Sequence, residues 1–324
     1  MRIIEPSVEI MRTGLEKEFI TPEQFIEKVG RTCYKSEDKI TDTSAAKFVS
    51  NLIKNGHEAM IEHWSLVFKT DKETYGRVKS DWDRLLHVGS IPVREQLRPY
   101  IRFTYCELDE GDVRYTISGN MRAWRDYVKA CVSDFGFIPD YMHDMIETYP
   151  LFFPEYPHYI FNKSNNNKLI PISISELNFV ERQVHQDITV KFVCDRGVSH
   201  EIVRHRVASF AQESTRYCNY SKDKFGSELT FIKPSWCNSS DDIYKVWIDK
   251  CMEAESAYFL MLDCGATPQE ARSVLPSSLK TEIIVTMNLD GWDHFFGLRC
   301  AKSAHPDMRE VAIMALQLFT LESI

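Results

Sequence analysis

Arg204-His205-Arg206-Val207-Ala208-Ser209-Phe210-Ala211-Gln212-Glu213-Ser214-Thr215-Arg216-Tyr217 is the stretch from which this chain is best read. It gathers three arginines, a histidine and two serines in thirteen residues of a chain whose formal charge is -8. A strand-like run, Ile188 to Phe192, and a turn at Asp195-Arg196-Gly197 lead into it. Guanidinium groups stay protonated and grip phosphate through a fork of donors. Serine hydroxyls and turn amides can complete such a cradle. The stretch therefore reads as a site for an anionic, phosphorylated ligand. A lone Arg-x-Arg on a helix is usually a solvated basic face, but here Ser214, Arg216 and Tyr217 carry the polar chemistry onward.

Composition bounds the alternatives. With 324 residues the chain can bury a sizeable core, as one large domain or two smaller ones. Hydrophobic residues at 44% and charged residues at 27% are ordinary for a soluble globular protein. A pI near 5.7 argues against a general nucleic-acid coat and makes the basic cluster a local device. Nine cysteines, an odd number without a Cys-x-x-Cys pair, suggest neither a disulfide framework nor a zinc ribbon. They read as reduced thiols in a cytoplasmic protein. No apolar run has the length of a signal peptide or membrane span, so no membrane partner is expected.

Along the chain, residues 1 to 12 read as a short strand around Pro6. Thr21-Pro22-Glu23-Gln24 has a threonine cap and a proline at the first helical position. Ser44 to Asn55 has apolar residues recurring at three and four, with Gly56 placed to end the helix. His57-Glu58-Ala59-Met60-Ile61-Glu62-His63 then enters a strand at Ser65 to Lys69. Its histidines are six apart, which does not fit the His-Glu-x-x-His of zinc proteases, so no metal is expected. Met121 to Val132 reads as a helix, and Asn162 to Lys168 as a polar surface loop. Val198 to Val207 reads as a helix with Ser199 as a candidate cap. Asp242 to Cys264 is a long helix with Ile243, Trp247, Cys251, Ala254, Tyr258 and Met261 on one stripe. Thr267-Pro268-Gln269-Glu270 is a capping box opening a helix over Ala271 to Leu275. Asp307 to Leu321 closes the chain as an amphipathic helix.

The spacing of the opening motif, Arg204-His205-Arg206, seven residues, then Ser214 and Arg216, resembles the signature of the flavin-dependent thymidylate synthases. The His57 to His63 segment and Arg272-Ser273-Val274-Leu275-Pro276 resemble further elements of that family. The likeness covers roughly residues 40 to 69 and 186 to 315, and residues 70 to 185 read as an insertion. The family's fold implies an α+β protein, a twisted, mainly antiparallel sheet packed with helices, in a single domain over 1–324. The insertion at about 70–185 would elaborate one side.

The resemblance implies reductive methylation of dUMP to dTMP. FAD would be the cofactor, with NADPH and methylenetetrahydrofolate as co-substrates, in a homotetramer whose sites are shared between subunits. It assigns His57, Arg204, His205, Arg206, Gln212, Asn288 and His294 to FAD. Glu201, Arg204, Ser214, Thr215, Arg216, Arg272 and Arg299 are assigned to dUMP. Arg299 takes the catalytic part of ionising uracil N3, since a permanent cation beside an acidic N–H stabilises its deprotonated form. His305 resembles a family histidine shortly beyond that arginine. The family's Asn-x-Arg element falls on Asn288 and Asp290, so its arginine is missing. Ser118 to Arg125 resembles Thr286 to Asp293, and Asn120 and Arg122 keep the pattern. Either the insertion supplies the arginine or the likeness is chance, and Asp290 is expected to point away from the flavin. The alternative function is a nucleotide- or nucleic-acid-binding protein using the 204–216 stretch without synthase activity. The overall acidity and dispersed arginines weigh against nucleic acid.

Overall fold

The computed structural model describes residues 1–12, 14, 20–88, 100–108, 111–156, 168–221, 226–322 and 324. The asparagine-rich loop over 162–167 lies outside them. The chain is α+β, but its strands form two four-stranded antiparallel sheets where the sequence predicts one. In chain order the strands are β1 (Arg2–Ile4), β2 (Ser7–Arg12), β3 (Ser65–Thr70), β4 (Ile101–Glu107), β5 (Val113–Asn120), β6 (Ile170–Pro171), β7 (Asp187–Asp195), β8 (Ser209–Gln212), β9 (Thr230–Ile232) and β10 (Lys280–Asn288). One sheet runs β2-β7-β10-β8 and the other β6-β3-β5-β4. A parallel pair, β1-β9, stands apart. The single N-terminal strand of the sequence reading is thus two strands in different sheets. Pro6, which has no N–H for a ladder, lies at the break.

Both sheets follow one plan. Setting aside the edge strands β2 and β6, the first strand of each pairs with the third: β7 with β10, and β3 with β5. The second strand in sequence, β8 or β4, pairs with the third strand's other edge. The registers also correspond, with Asn288 opposite Asp187 and Asn120 opposite Ser65. Each asparagine ends its strand and caps the next helix: Asn288 accepts from Gly291 N at 3.1 Å, and Asn120 from Ala123 N at 2.8 Å. Such a cap is worth about 1 kcal/mol. Four residues beyond each cap a tryptophan, Trp292 or Trp124, is fully buried. The likeness of 118–125 to 286–293 is therefore structural, and residues 70 to 185 build most of a second sheet around β3.

Each sheet has its own apolar core. Ile117, Phe68, Trp124 and Tyr127 centre the first, under helices Lys72–Val88 and Met121–Phe135. Ile188, Phe192, Val285, Trp292 and Phe319 centre the second, under helices Leu289–Arg299 and Pro306–Leu321. The Thr21 cap forms as predicted, Gln24 completes it reciprocally, and helix Pro22–Tyr34 follows. Helix Ser44–Lys54 ends before Gly56, whose φ of +71° suits a residue without Cβ. The Thr267 capping box is present, but its helix, Pro268–Ala271, gives way to a 3-10 turn over Arg272–Val274. In helix Asp242–Asp263 the stripe holds from Trp247 to Met261, with Cys251 and Tyr258 buried, and is corrected at its start, where Tyr244 is buried and Ile243 exposed. The nine cysteines form no disulfide among the described residues, and Cys218 is a small buried core residue. Among the described residues no helix is long and apolar enough to cross a membrane.

Candidate functional site

The Arg204-His205-Arg206 triplet lies in a turn, not in a helix. Helix Arg196–Ile202 starts two residues earlier than predicted, because Asp195 and not Ser199 caps it, accepting from Val198 N at 2.6 Å. It stops at Ile202, where the β-branched residues Val203 and Val207 disfavour continuation. The chain then turns to supply β8 to the sheet edge, pairing Ser209 with Thr286 and Gln212 with Ile283. That return throws the Arg204 and Arg206 side chains out to solvent and buries His205.

His205 sits beneath Arg299. Arg299 Nε donates to His205 Nε2 at 2.8 Å, Nη1 to Glu201 Oε2 at 2.6 Å, and Nη2 to the Glu201 carbonyl at 3.0 Å. The motif turn and the end of helix Leu289–Arg299 thus converge through an orienting carboxylate. Burial, then the charge of Arg299 and then His294, hold the His205 pKa down at about 4. The ring is therefore neutral at pH 7, with Nε2 as acceptor and the proton on Nδ1. Its ring lies 4.8 Å from that of Phe295 and 6.0 Å from that of His294.

Beside this cluster, between the two sheets, is a cavity of about 430 Å³. Among its lining residues are Arg206, Asn288 and His294, three of the predicted flavin contacts. Asp290, exposed at the surface, is also among the lining residues. Its carboxyl pKa is raised, by burial and then by Asp293. Asn120 reaches the cavity from the other sheet. Arg122 instead turns to Glu62 at 2.6 Å and Asp126 at 3.5 Å. The guanidinium that the first sheet brings to the cavity is that of Arg102, bound to Asp187 at 2.7 and 2.8 Å. Tyr100 stands next to it, its hydroxyl on the Ala208 carbonyl at 3.3 Å. Arg102 and Tyr100 escaped the sequence reading because they belong to no motif. Only the Asn120 likeness hinted that this region contributes.

The other predicted residues gather farther along β8. Gln212 Nε2 donates to Ser199 Oγ at 2.9 Å and Thr281 Oγ1 at 3.2 Å, tying β8 to helix Arg196–Ile202 and to β10. Beyond it Ser214 Oγ accepts from Arg216 N at 3.3 Å, and Thr215 Oγ1 from Arg272 Nη1 at 3.4 Å. The Arg216 guanidinium lies over the Tyr217 ring at 5.5 Å. Tyr217 packs on Tyr34, whose hydroxyl is 3.5 Å from His57 Nδ1. His57 is exposed, at the rim of this group. His305 caps the last helix and lies 3.9 Å from Asp307. Among the described residues no carboxylate pairs with Arg204, Arg206, Arg216 or Arg272. These four exposed cations, on one segment and its neighbour, keep their charge unneutralised in an acidic chain.

The fold is thus α+β, with exposed arginines on the motif segment and a polar cavity between the two sheets. The profile of the family described as Thymidylate synthase complementing protein matches residues 15–73 and 162–322, about two thirds of the chain. The chain belongs to that family. The profile leaves residues 74–161 unmatched, the part that supplies β4 and β5. A flavin-dependent thymidylate synthase of Pyrococcus furiosus is 39% identical over 124 residues, covering 38% of this chain and 50% of the relative. One from Geobacter sulfurreducens is 37% identical over 123 residues, covering 38% and 51%. The chain thus spans about half the length of these relatives. Among solved structures, a UMP/dUMP methylase, PolB, from Streptomyces cacaoi bound with 5-Br dUMP is 23% identical. That likeness covers 44% of this chain and 67% of the other, with a TM-score of 0.35.

Proposed function

We propose that this chain is a flavin-dependent thymidylate synthase. It would methylate dUMP reductively to dTMP, taking carbon from methylenetetrahydrofolate and using FAD reduced by NADPH. Family membership and the names of the relatives support the reading. The observation that carries it is the convergence of Arg299, Glu201 and His205 beside a cavity lined by Arg206, Asn288 and His294.

The residues fit a flavin dinucleotide. The cavity volume falls within the roughly 300–1,000 Å³ of cofactor sites. Arg204 and Arg206 offer guanidinium donors to the phosphates, and His294 and the second N–H of the Asn288 amide, whose first is on the Val184 carbonyl, offer polar edges to a heterocycle. Bound there, FAD would supply the hydride. The chain's own residues bind and tune. Ser214, Thr215, Arg216 and Arg272 form the cradle for the dUMP phosphate. Glu201 fixes the Arg299 guanidinium through two contacts, so the cation is presented in one orientation. Beside uracil it stabilises the deprotonated N3. Neutral His205 accepts from Arg299 and adds no competing positive charge. Gln212 holds the two parts in register, and His57 closes the rim.

The same reading treats residues 1–324 as one synthase unit, acting in the cytoplasm as a homotetramer with folate as second substrate. An absorption spectrum of the purified protein, with and without NADPH and dUMP, tests it. A flavin bound near one per chain that bleaches with NADPH, and dTMP formed from dUMP, are expected. A colourless protein that takes up no added FAD overturns the reading.

A further inference from the structure

The contacts between the two sheets are exchanged in pairs. His63 and His185 each stand two residues before a first strand, β3 or β7. His63 Nδ1 lies 2.7 Å from Thr286 Oγ1, two residues before the cap Asn288. His185 Nδ1 lies 2.7 Å from Ser118 Oγ, two residues before the cap Asn120. Thr286 is opposite Ser209 and Ser118 is opposite Arg102. Those two partners also cross over: Ser209 Oγ donates to Glu62 at 2.9 Å, and Arg102 Nη1 to the Val184 carbonyl at 2.6 Å. Glu62 and Val184 immediately precede the two histidines. Reciprocal contacts at matching positions are what a two-fold relation between similar units produces. The cavity lies on that relation, lined by Asn120 with Asn288, Arg102 with Ser209, Tyr100 with Val207, and Glu62 with Val184.

The two units differ where the anion-binding set should be. Eleven residues after Asn288 comes Arg299; eleven after Asn120 comes Cys131, fully buried in the apolar core. The first unit keeps the framework without the arginine at that place.

We infer that residues 58–135 and 178–299 are two copies of one strand–helix framework. The first copy, having lost its own anion site, serves as the opposite wall of the second copy's ligand cavity. Tyr100 and Asn120 touch the ligand there, facing Arg206, Asn288 and His294. One chain thereby provides both walls of this cavity. Within the proposed function, on which the inference rests, that ligand is the flavin, which Tyr100, Asn120 and Asn288 would help to hold.

FAD titrations of the full-length protein, followed by flavin fluorescence quenching, test this with three variants. Asn120→Ser preserves a capping oxygen for the helix but withdraws the side-chain amide. Tyr100→Leu removes the aromatic face. Tyr105→Ser alters the exposed far end of the same strand, away from the cavity. Asn120→Ser and Tyr100→Leu should weaken FAD by about tenfold each, the scale of one lost hydrogen bond or stacking contact. The visible absorption band of the bound flavin should shift, while Tyr105→Ser keeps wild-type affinity and spectrum. If Tyr100→Leu does not fold, Asn120→Ser decides alone. Wild-type FAD affinity and spectrum in the folded variants would overturn the inference and leave the flavin reading standing. No FAD uptake by the wild-type protein would overturn both.

Discussion

Replacing His185 by glutamine should change how the protein responds to acid. His185 is fully buried between the sheets, with Nδ1 on Ser118 and Nε2 on Thr104, each at 2.7 Å. Burial, then the nearby charge of Arg102, hold its pKa down at about 4. An unfolded histidine titrates near 6.5. Below that value the unfolded chain takes up a proton that the folded chain refuses. Stability is therefore intact above pH 6.5 and is lost as pH falls toward 4. Between pH 6.5 and 5.0 the loss is about 1.4 kcal/mol per pH unit, or about 2 kcal/mol for this one residue. His63, held down to about 3 by burial, adds a similar loss over the same interval. His185→Gln removes one of these protons. The variant should be less stable at pH 7.5 by about 1–3 kcal/mol through its imperfect hydrogen bonds. Its disadvantage should then shrink by about 2 kcal/mol at pH 5.0. Urea unfolding followed by tryptophan fluorescence at both pH values measures this. Parallel losses in wild type and variant would refute the claim that His185 is buried neutral between the sheets.

Arg299→Ala should lower dTMP formation by about 10²–10³-fold, the usual cost of removing a preorganised electrostatic group. FAD should stay bound, and single-turnover kinetics with NADPH-reduced enzyme separate the two effects. Asp290→Asn removes a negative charge from the cavity lining, so FAD should bind a few-fold tighter at low salt, with the gain fading in fluorescence titrations at about 1 M salt. Glu282→Gln strikes a carboxylate contacted by Lys35, Lys191 and Lys280. Breaking such a buried ionic cluster on one side should cost roughly 3–5 kcal/mol in chemical unfolding.

The sequence made the anion site legible because its chemistry is local. Arg204, Arg206, Ser214 and Arg216 lie within one stretch, and the capping boxes at Thr21 and Thr267 are decided by neighbours three residues apart. The triplet's helix was misread because Val198 to Val207 has helical spacing, whereas pairing of Ser209–Gln212 with β10 determines where the chain must turn. That pairing spans about seventy residues and leaves no mark within the stretch. The second sheet was hidden for a similar reason. Its strands show weak alternation, and the resemblance ends where they begin. Only the Asn120 and Asn288 caps carried the repeat into the sequence, because a strand that ends in a helix cap needs the same short polar residue in both copies.

The two kinds of polar group around the cavity have separate parts to play. Asn288 spends its oxygen on Gly291 and its amide on the Val184 carbonyl at 3.1 Å. Arg102 is committed to Asp187, and Ser65 donates to the same carboxylate. That carboxylate is kept ionised: burial pushes its pKa up, but Arg102 and Ser65 outweigh it. These groups are tied before any ligand arrives, so the cavity wall has little ordering entropy left to lose on binding. Arg204, Arg206, Arg216 and Arg272 have no such ties to carboxylates among the described residues and keep their charge for an incoming phosphate. On the proposed reading, a rigid, internally neutralised cavity wall and a separate set of uncompensated arginines would let an acidic protein hold an anion without becoming basic overall.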